Sequence, residues 1–249
     1  MVLETWRETT LRWAFIVIVA GAIEAIVRLN LIDRIFVTSP SLIAAAAWER
    51  FLAGDLTGLF LTTVYETAIA FFIAAIVGLP AGYLLWKYPL LGRAYDELLS
   101  ALFASPLILL YPIALVIFGR KISAVIAMGC ISGTIPIVLN THQGLRDVGQ
   151  TYIKVAKSMR LTSRQTLAYI LFPAAWPTIM GGVKLGLTYI LISVIAVEFL
   201  VEIGGIGTLA SKGYYWFNTE ELYLGVAGAI VLSMIFMYLL GKAESRFSS

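Results

Sequence analysis

The feature that most constrains this chain is a series of apolar runs, each close to the length of a membrane span, separated by short charged stretches. About 20 helical residues at 1.5 Å each cross a hydrocarbon core of about 30 Å. Inside that core no water satisfies backbone N–H and C=O groups, so only helices and closed barrels span it. Barrel strands alternate apolar and polar residues at period two, and these runs do not. The chain holds 60% hydrophobic and 13% charged residues, against roughly 45–50% and about 25% in soluble domains. A soluble enzyme, a disordered protein and a β-barrel are thereby excluded, leaving an all-α polytopic membrane protein. The single cysteine, Cys130, precludes a disulfide framework, and no Cys/His cluster has metal-ligand spacing. The net charge of +3 does not point to nucleic acid. No metal or cofactor is expected.

Six spans are expected, over 11–29, 62–86, 98–118, 122–139, 178–200 and 222–240, within one transmembrane domain covering 1–249. The first run lacks a small-residue cleavage site and reads as a retained anchor. With the N-terminus inside, eleven basic residues fall on the inner side: Arg7, Arg12, Lys87, Arg93, Arg146, Lys154, Lys157, Arg160, Arg164, Lys242 and Arg246. Six fall outside: Arg28, Arg34, Arg50, Arg120, Lys121 and Lys212. The positive-inside rule then puts both termini in the cytoplasm.

Small residues recur four apart inside the spans, as Gly78/Gly82, Gly129/Gly133 and Gly182/Gly186. Such pairs let helix backbones approach closely in lipid. Pro80, Pro106, Pro112 and Pro136 lie within expected spans; kinks of this kind often line a pathway. Ionisable residues inside a span tend to face the bundle interior. Glu66 is the best charged candidate for a translocation path, with Tyr111 and Tyr189 as polar lining; Tyr65 and Asn140 are weaker candidates. Glu24 and Glu198 sit near span ends and read as snorkelling or interhelical pairs, as does Lys184. His142 is expected to cap or solvate span four. Tyr214, Tyr215, Trp216 and Phe217 read as an interfacial aromatic belt, or a docking patch for an extracytoplasmic partner.

The most informative stretch is 140–177, and within it 150–173. Val155, Met159, Leu167 and Ile170 keep a helical spacing, with Lys154, Lys157, Arg160 and Arg164 between them. Thr162-Ser163 offers an N-cap, so two short helices with a turn near 161–163 are expected. Pro173 and Pro177 should then break the chain before span five. A basic amphipathic segment of this kind suits either anionic membrane lipid or a groove on a cytoplasmic protein.

The run Lys154-Val-Ala-Lys-Ser-Met-Arg-Leu-Thr-Ser-Arg-Gln-Thr-Leu-Ala-Tyr-Ile-Leu-Phe-Pro173 resembles the EAA loop of ABC importer permeases. Ala156, Ser158, Gln165, Thr166 and Pro173 fit that pattern, and so do Pro177, Gly181-Gly182, Gly186 and Ala196-Val-Glu198 followed by Gly204-Gly-Ile-Gly207. Ser39-Pro40-Ser41, Ser105-Pro106 and Ile117-Phe118-Gly119 resemble the nitrate/sulfonate/taurine-type branch. The likeness covers about Phe36 to Lys242.

It implies a six-helix bundle of the type I importer permease kind, with a cytoplasmic coupling helix between spans four and five. The residues expected to couple to an ATPase are Lys154, Val155, Ala156, Ser158, Met159, Arg160 and Thr162. The implied partners are ABC ATPase subunits, a second permease subunit in a homo- or heterodimer, and a periplasmic or lipid-anchored substrate-binding protein. The implied location is the bacterial inner membrane, and the implied solute a small anion such as nitrate, a sulfonate or a related organic acid. Two positions depart from the family: Lys154 replaces its Glu and Arg160 its Gly. No P-loop is present, so ATP would bind another chain. An ion-coupled secondary transporter is the rival reading, but no internal repeat marks one. A membrane enzyme would need a convergent His/Asp/Glu or metal set within the spans, and none is present.

Overall fold

The computed structural model describes the backbone of residues 2–247, and the side chains of 10–245 apart from residue 150. Arg7 and Arg246, counted above for orientation, lie outside the described side chains. Among the described residues the fold is helical throughout, without a strand. The helices are α1 (Val2–Arg28), α2 (Pro40–Leu52), α3 (Asp55–Lys87), α4 (Pro89–Ala104), α5 (Tyr111–Phe118), α6 (Ile122–Arg146), α7 (Gln150–Ser158), α8 (Ser163–Thr166), α9 (Phe172–Val201), α10 (Gly205–Tyr215) and α11 (Thr219–Phe247). Five segments among them are long and apolar enough to cross a membrane, and a bent pair provides a sixth.

The bent pair corrects one expectation. The stretch 98–118 is not a continuous helix. Residues before proline are pushed out of the helical region by the ring, and Ser105 is extended at φ −80°, ψ 151°. Helix α4 therefore stops at Ala104, a 3₁₀ turn spans Leu107–Leu110, and α5 leaves at 90° to α4. A second correction concerns Pro173 and Pro177. Pro173 occupies the first turn of α9, where no intrahelical N–H is required. A π-helical segment, Leu167–Leu171, joins α8 to α9, so the helix runs through both prolines instead of breaking.

The core is a three-helix layer in which α6 lies between α3 and α9. Its contacts are set by the expected glycine pairs. A Cβ on Gly78 would meet Ile137 Cγ2 at 2.7 Å, and one on Gly82 would meet Thr141 Cβ at 2.6 Å. Gly186 faces the other side of Ile137, with Cγ1 at 2.7 Å from a Cβ built there and the Gly133 carbonyl at 2.9 Å. Ile190 fills the facing hollow over Gly129 and Gly133. Ile137 and Ile190 are fully buried. In lipid the tails are as apolar as these side chains, so close van der Waals contact must hold the helices together. Buried polar groups add to it: Ser193 donates to Ser132 between α9 and α6.

The remaining helices wrap this layer. Helix α10 packs against α9 and α11, burying Ile206 and Leu209 beside Leu56 and Leu224. Ser39 caps α2, and Ser41 Oγ and N–H both donate to Glu24, at 2.6 and 3.1 Å. Glu24, which also pairs with Arg28, thus ties α1 to the start of α2. Arg50 pairs with Glu221, fastening α2 to α11. Lys184 pairs with Glu244, an interhelical bond from α9 to α11. Most of α1 is uncovered by the rest of the chain.

Gly186→Val should lower the thermal midpoint measured in detergent, by the equivalent of about 1–3 kcal/mol, because the added atoms overlap Ile137 and the Gly133 carbonyl. Gly181→Ala, one turn away with open space around it, should leave the midpoint unchanged or slightly raised.

Candidate functional site

The segment of α7 and α8 folds as two short helices with a sharp turn, as the capping residues require. Helix α7 ends in a Schellman motif: Leu161 N–H donates to the Ala156 carbonyl at 3.1 Å and Arg160 N–H to the Lys157 carbonyl at 3.0 Å. The residue between must be left-handed, and Arg160 has φ 53°. This is the position where glycine is favoured, since it lacks the Cβ that crowds this conformation. Thr162 then opens α8 with a complete capping box. Its hydroxyl accepts from Gln165 N–H at 3.3 Å, and Gln165 Oε1 accepts from Thr162 N–H at 2.9 Å.

The turn divides α7 into two faces. Ala156 is buried and Ile153 packs against Leu145, Val148 and Leu171 at the ends of α6 and α9. Tyr152, Val155 and Met159 point outward and are exposed at 54%, 45% and 64%. Lys154, Lys157, Ser158 and Arg160 flank them, also exposed. The result is an apolar ridge with basic sides, rigidly seated on the helical layer. Next to it lies a cavity of about 550 Å³, lined by Arg93, Asp96, Glu97, His142, Arg146 and Ile153. His142 is buried against Gly92, not solvated at a helix end as its position suggested.

The second constellation lies far along α9, where the chain turns into α10. Glu198, expected to snorkel or to join an interhelical pair, does not snorkel: it is fully buried and bonded across to α3. Its Oε1 accepts from Thr63 Oγ1 at 2.7 Å, and its Oε2 from Gly207 N–H at 2.8 Å. Thr63 Oγ1 in turn accepts from Ile206 N–H at 2.9 Å. Two orphan donors in the first turn of α10 are thus satisfied from α9 and α3 together, with the carboxylate at the positive end of the helix dipole. Glycine is required on the α10 side. Gly205 has φ 80° and lies against the Glu198 carboxylate, and a Cβ on Gly207 would reach Glu198 Cβ at 2.7 Å. Thr208 closes the corner, its hydroxyl within 3.1 Å of the Glu198 carbonyl and 2.6 Å of the Gly204 carbonyl.

The three proposed path residues are not brought to one point. Glu66 is fully buried on α3, one turn from Thr63. Tyr111 is half-buried at the start of α5, packed on the core around Ala114 and Val125. Tyr189 packs against Phe103 of α4, with ring centroids 4.9 Å apart and the planes tilted by 53°. Tyr65 is exposed, and Asn140 Nδ2 donates to the Pro136 carbonyl at 2.9 Å. Thr63 and helix α10 are absent from the sequence-based reading. The only local signal was Gly205-x-Gly207 following an acidic residue, a pattern too short to identify a helix start. A largely apolar groove of about 730 Å³ also runs between α9, α10 and α11, beside Ile195, Phe199, Val226 and Met234. Among the described residues no group of three or more His, Cys, Asp or Glu could hold a metal.

Residues 70–243 match the family described as the binding-protein-dependent transport system inner membrane component. A bicarbonate transport system permease protein, CmpB of Synechocystis sp., is 32% identical over 173 residues, covering 68% of this chain and 62% of the relative. A nitrate import permease protein, NrtB of the same organism, is 30% identical over 182 residues, covering 73% and 63%. The chain thus spans less than two thirds of the length of these relatives. Among solved structures, the MetNI methionine ABC transporter in an inward-facing conformation aligns with a TM-score of 0.64 at 22% identity, over 79% of this chain and 96% of that one. This likeness establishes the fold.

Thr162→Ala removes both the hydroxyl acceptor and half of the capping box. Losing such a cap costs about 1 kcal/mol, so amide exchange in the first turn of α8 should accelerate about fivefold, with the α6 and α9 amides unaffected.

Proposed function

The chain belongs to the binding-protein-dependent transport inner-membrane family, and on that premise we propose that it is the permease subunit of an ATP-driven importer for a small anionic solute. The family match over 70–243 carries this reading. The relatives transporting bicarbonate and nitrate support an anionic solute. The alternative of a self-sufficient, ion-coupled carrier is not favoured.

In this reading α7 is a coupling helix that faces the cytoplasm, as do both termini. Tyr152, Val155 and Met159 enter a groove on an ABC ATPase subunit, an amphipathic helix docking by its apolar ridge. Lys154, Lys157 and Arg160 meet the rim of that groove, where acidic residues on the ATPase would complement them. Ala156 and Thr162 act from behind the contact, the first by seating α7 on the layer and the second by capping α8. Because α8 continues through the π segment into α9, displacement of α7 passes directly into a membrane helix. Movement of packed helices between two arrangements is how such a bundle would alternate.

A second permease subunit would complete the translocation path. In this reading Tyr111, at the start of α5, and Tyr189, against Phe103 of α4, would line that route, and their position beside the broken α4–α5 pair supports it. Glu66, enclosed by its own chain, would act on that route from behind. A periplasmic or lipid-anchored binding protein would deliver the solute, and the permease itself would catalyse no bond chemistry.

The test is co-purification with the ATPase and reconstitution with ATPase and binding protein. Val155→Asp and Met159→Asp change exposed positions, so the fold should persist while ATPase association weakens at least tenfold, the loss of one interface anchor. ATP-dependent uptake of labelled nitrate, bicarbonate or a sulfonate should fall in parallel. ATP-independent uptake by the purified chain alone would overturn the importer reading.

A further inference from the structure

Among the described residues, Glu66 leaves more buried polar atoms without a partner than any other side chain. It is fully buried on α3, and neither carboxyl oxygen has a hydrogen-bond donor among the described residues. Leaving a buried acceptor without a donor carries the whole desolvation penalty, and leaving a buried charge without a partner carries far more. Its surroundings hold no compensating cation. Among the described residues no ion pair reaches Glu66 or Glu198. Two charged groups beside the α9–α10 corner are committed elsewhere: Arg120 donates to the Val201 carbonyl, and Glu202 accepts from Ser211 Oγ. Lys212, on α10, is exposed.

What Glu66 does face is a second carboxyl. Thr63, one turn before it on the same buried side of α3, donates to Glu198 Oε1 at 2.7 Å, and Glu198 is itself fully buried, so α3 presents Glu66 to the same enclosed corner as Glu198. Two carboxylates so placed repel, and neither can donate to the other. One added proton removes both difficulties. It cancels one charge and creates an O–H donor for a carboxylate that still has lone pairs to offer. Which of the two holds it follows from the donors already present. Glu198 accepts from Thr63 and from Gly207 N–H at the dipole end of α10, so both its oxygens already serve as acceptors. Glu66 has no such partners.

We propose that Glu66 and Glu198 form a proton-binding site within the helical bundle, in which a protonated Glu66 donates to the Glu198 carboxylate that caps α10. The proton is then a structural ligand. It joins α3 to the α9–α10 corner, and its loss would set two negative charges against each other at the junction of three helices. The site does not depend on the transport reading. Alkaline pH should loosen the corner, because the stabilising form is the protonated one.

The test uses the full chain in detergent and reads the protonated-carboxyl C=O stretch by infrared difference spectroscopy. At neutral pH the wild type should show one such band, shifting in D2O, and Glu66→Gln should lack it. Glutamine keeps the shape and offers an N–H donor to Glu198, so Glu66→Gln should fold, with a thermal midpoint near that of the wild type at neutral pH. On alkalinisation the wild-type midpoint should fall further than that of Glu66→Gln. If Glu66→Gln does not fold, the wild-type band and its disappearance with the loss of stability at high pH still decide the matter. A wild type without a protonated-carboxyl band at neutral pH would overturn the proposal. So would a midpoint that rises with sodium over choline at constant ionic strength, since a cation would then occupy the site.

Discussion

Everything in this structure depends on how closely α3, α6 and α9 approach one another. Helices in lipid gain little from hiding apolar surface, so their association must come from surface matching. Here each of the three contributes a pair of glycines four residues apart; Ile137 and Ile190 fill the hollows over Gly78, Gly186, Gly129 and Gly133, and Thr141 and Asn140 those over Gly82 and Gly182. Ile137 touches glycines from both neighbours at once. The layer is therefore coupled: a shift of α6 against α3 must also be accommodated against α9. A packed arrangement of this kind moves between discrete states more readily than it deforms.

The two ends of the layer carry the two constellations of interest. At one end α7 is clamped by Ile153 and Ala156 underneath and by back-to-back caps at its C-terminal side. Its outward ridge is thus presented without slack. The clamp includes a residue in a conformation that costs a side-chain-bearing amino acid something to adopt, Arg160 at φ 53°. A basic side chain at that turn adds charge to the flank of the ridge in exchange for local strain. At the other end Glu198 and Thr63 hold the start of α10. Because that corner takes its hydrogen bonds from both α3 and α9, it registers the relative position of the same two helices that the glycines bring together.

Much of this was legible from local residue pattern. The glycine spacings pointed to close helix contacts, and those contacts exist. The alternation of apolar and basic residues over 150–160, with Thr162-Ser163 following, located two short helices and their turn, and the caps formed as expected. The family glycine that Arg160 replaces falls at the residue that adopts the left-handed conformation. Other features were not legible, for identifiable reasons. Pro106 suits a kink or a break alike; the extended Ser105 before it and the packing of α4 and α5 on α6 set the 90° bend. Pro173 and Pro177 looked like terminators, but a π segment absorbed the mismatch and kept the helix running. Glu198 looked interfacial because its position was judged by distance from a span end, while its burial is produced by α10 folding back over it.

The sequence by itself determined that the chain is a helical membrane protein, where its long helices lie, and which segment offers a basic, amphipathic face. These follow from composition, periodicity and capping, all of which act over a turn or two of helix. Only the tertiary structure decided which face of α7 is free and which is buried, that α10 exists as a helix seated on Glu198, and that Glu66 and Glu198 are both enclosed. Those outcomes depend on residues 135 to 143 positions apart meeting through hydrogen bonds, Thr63 with Glu198 and with Ile206. No local pattern encodes such a meeting. It arises because three helices pack closely enough to bring α3 and the α9–α10 corner within reach of each other.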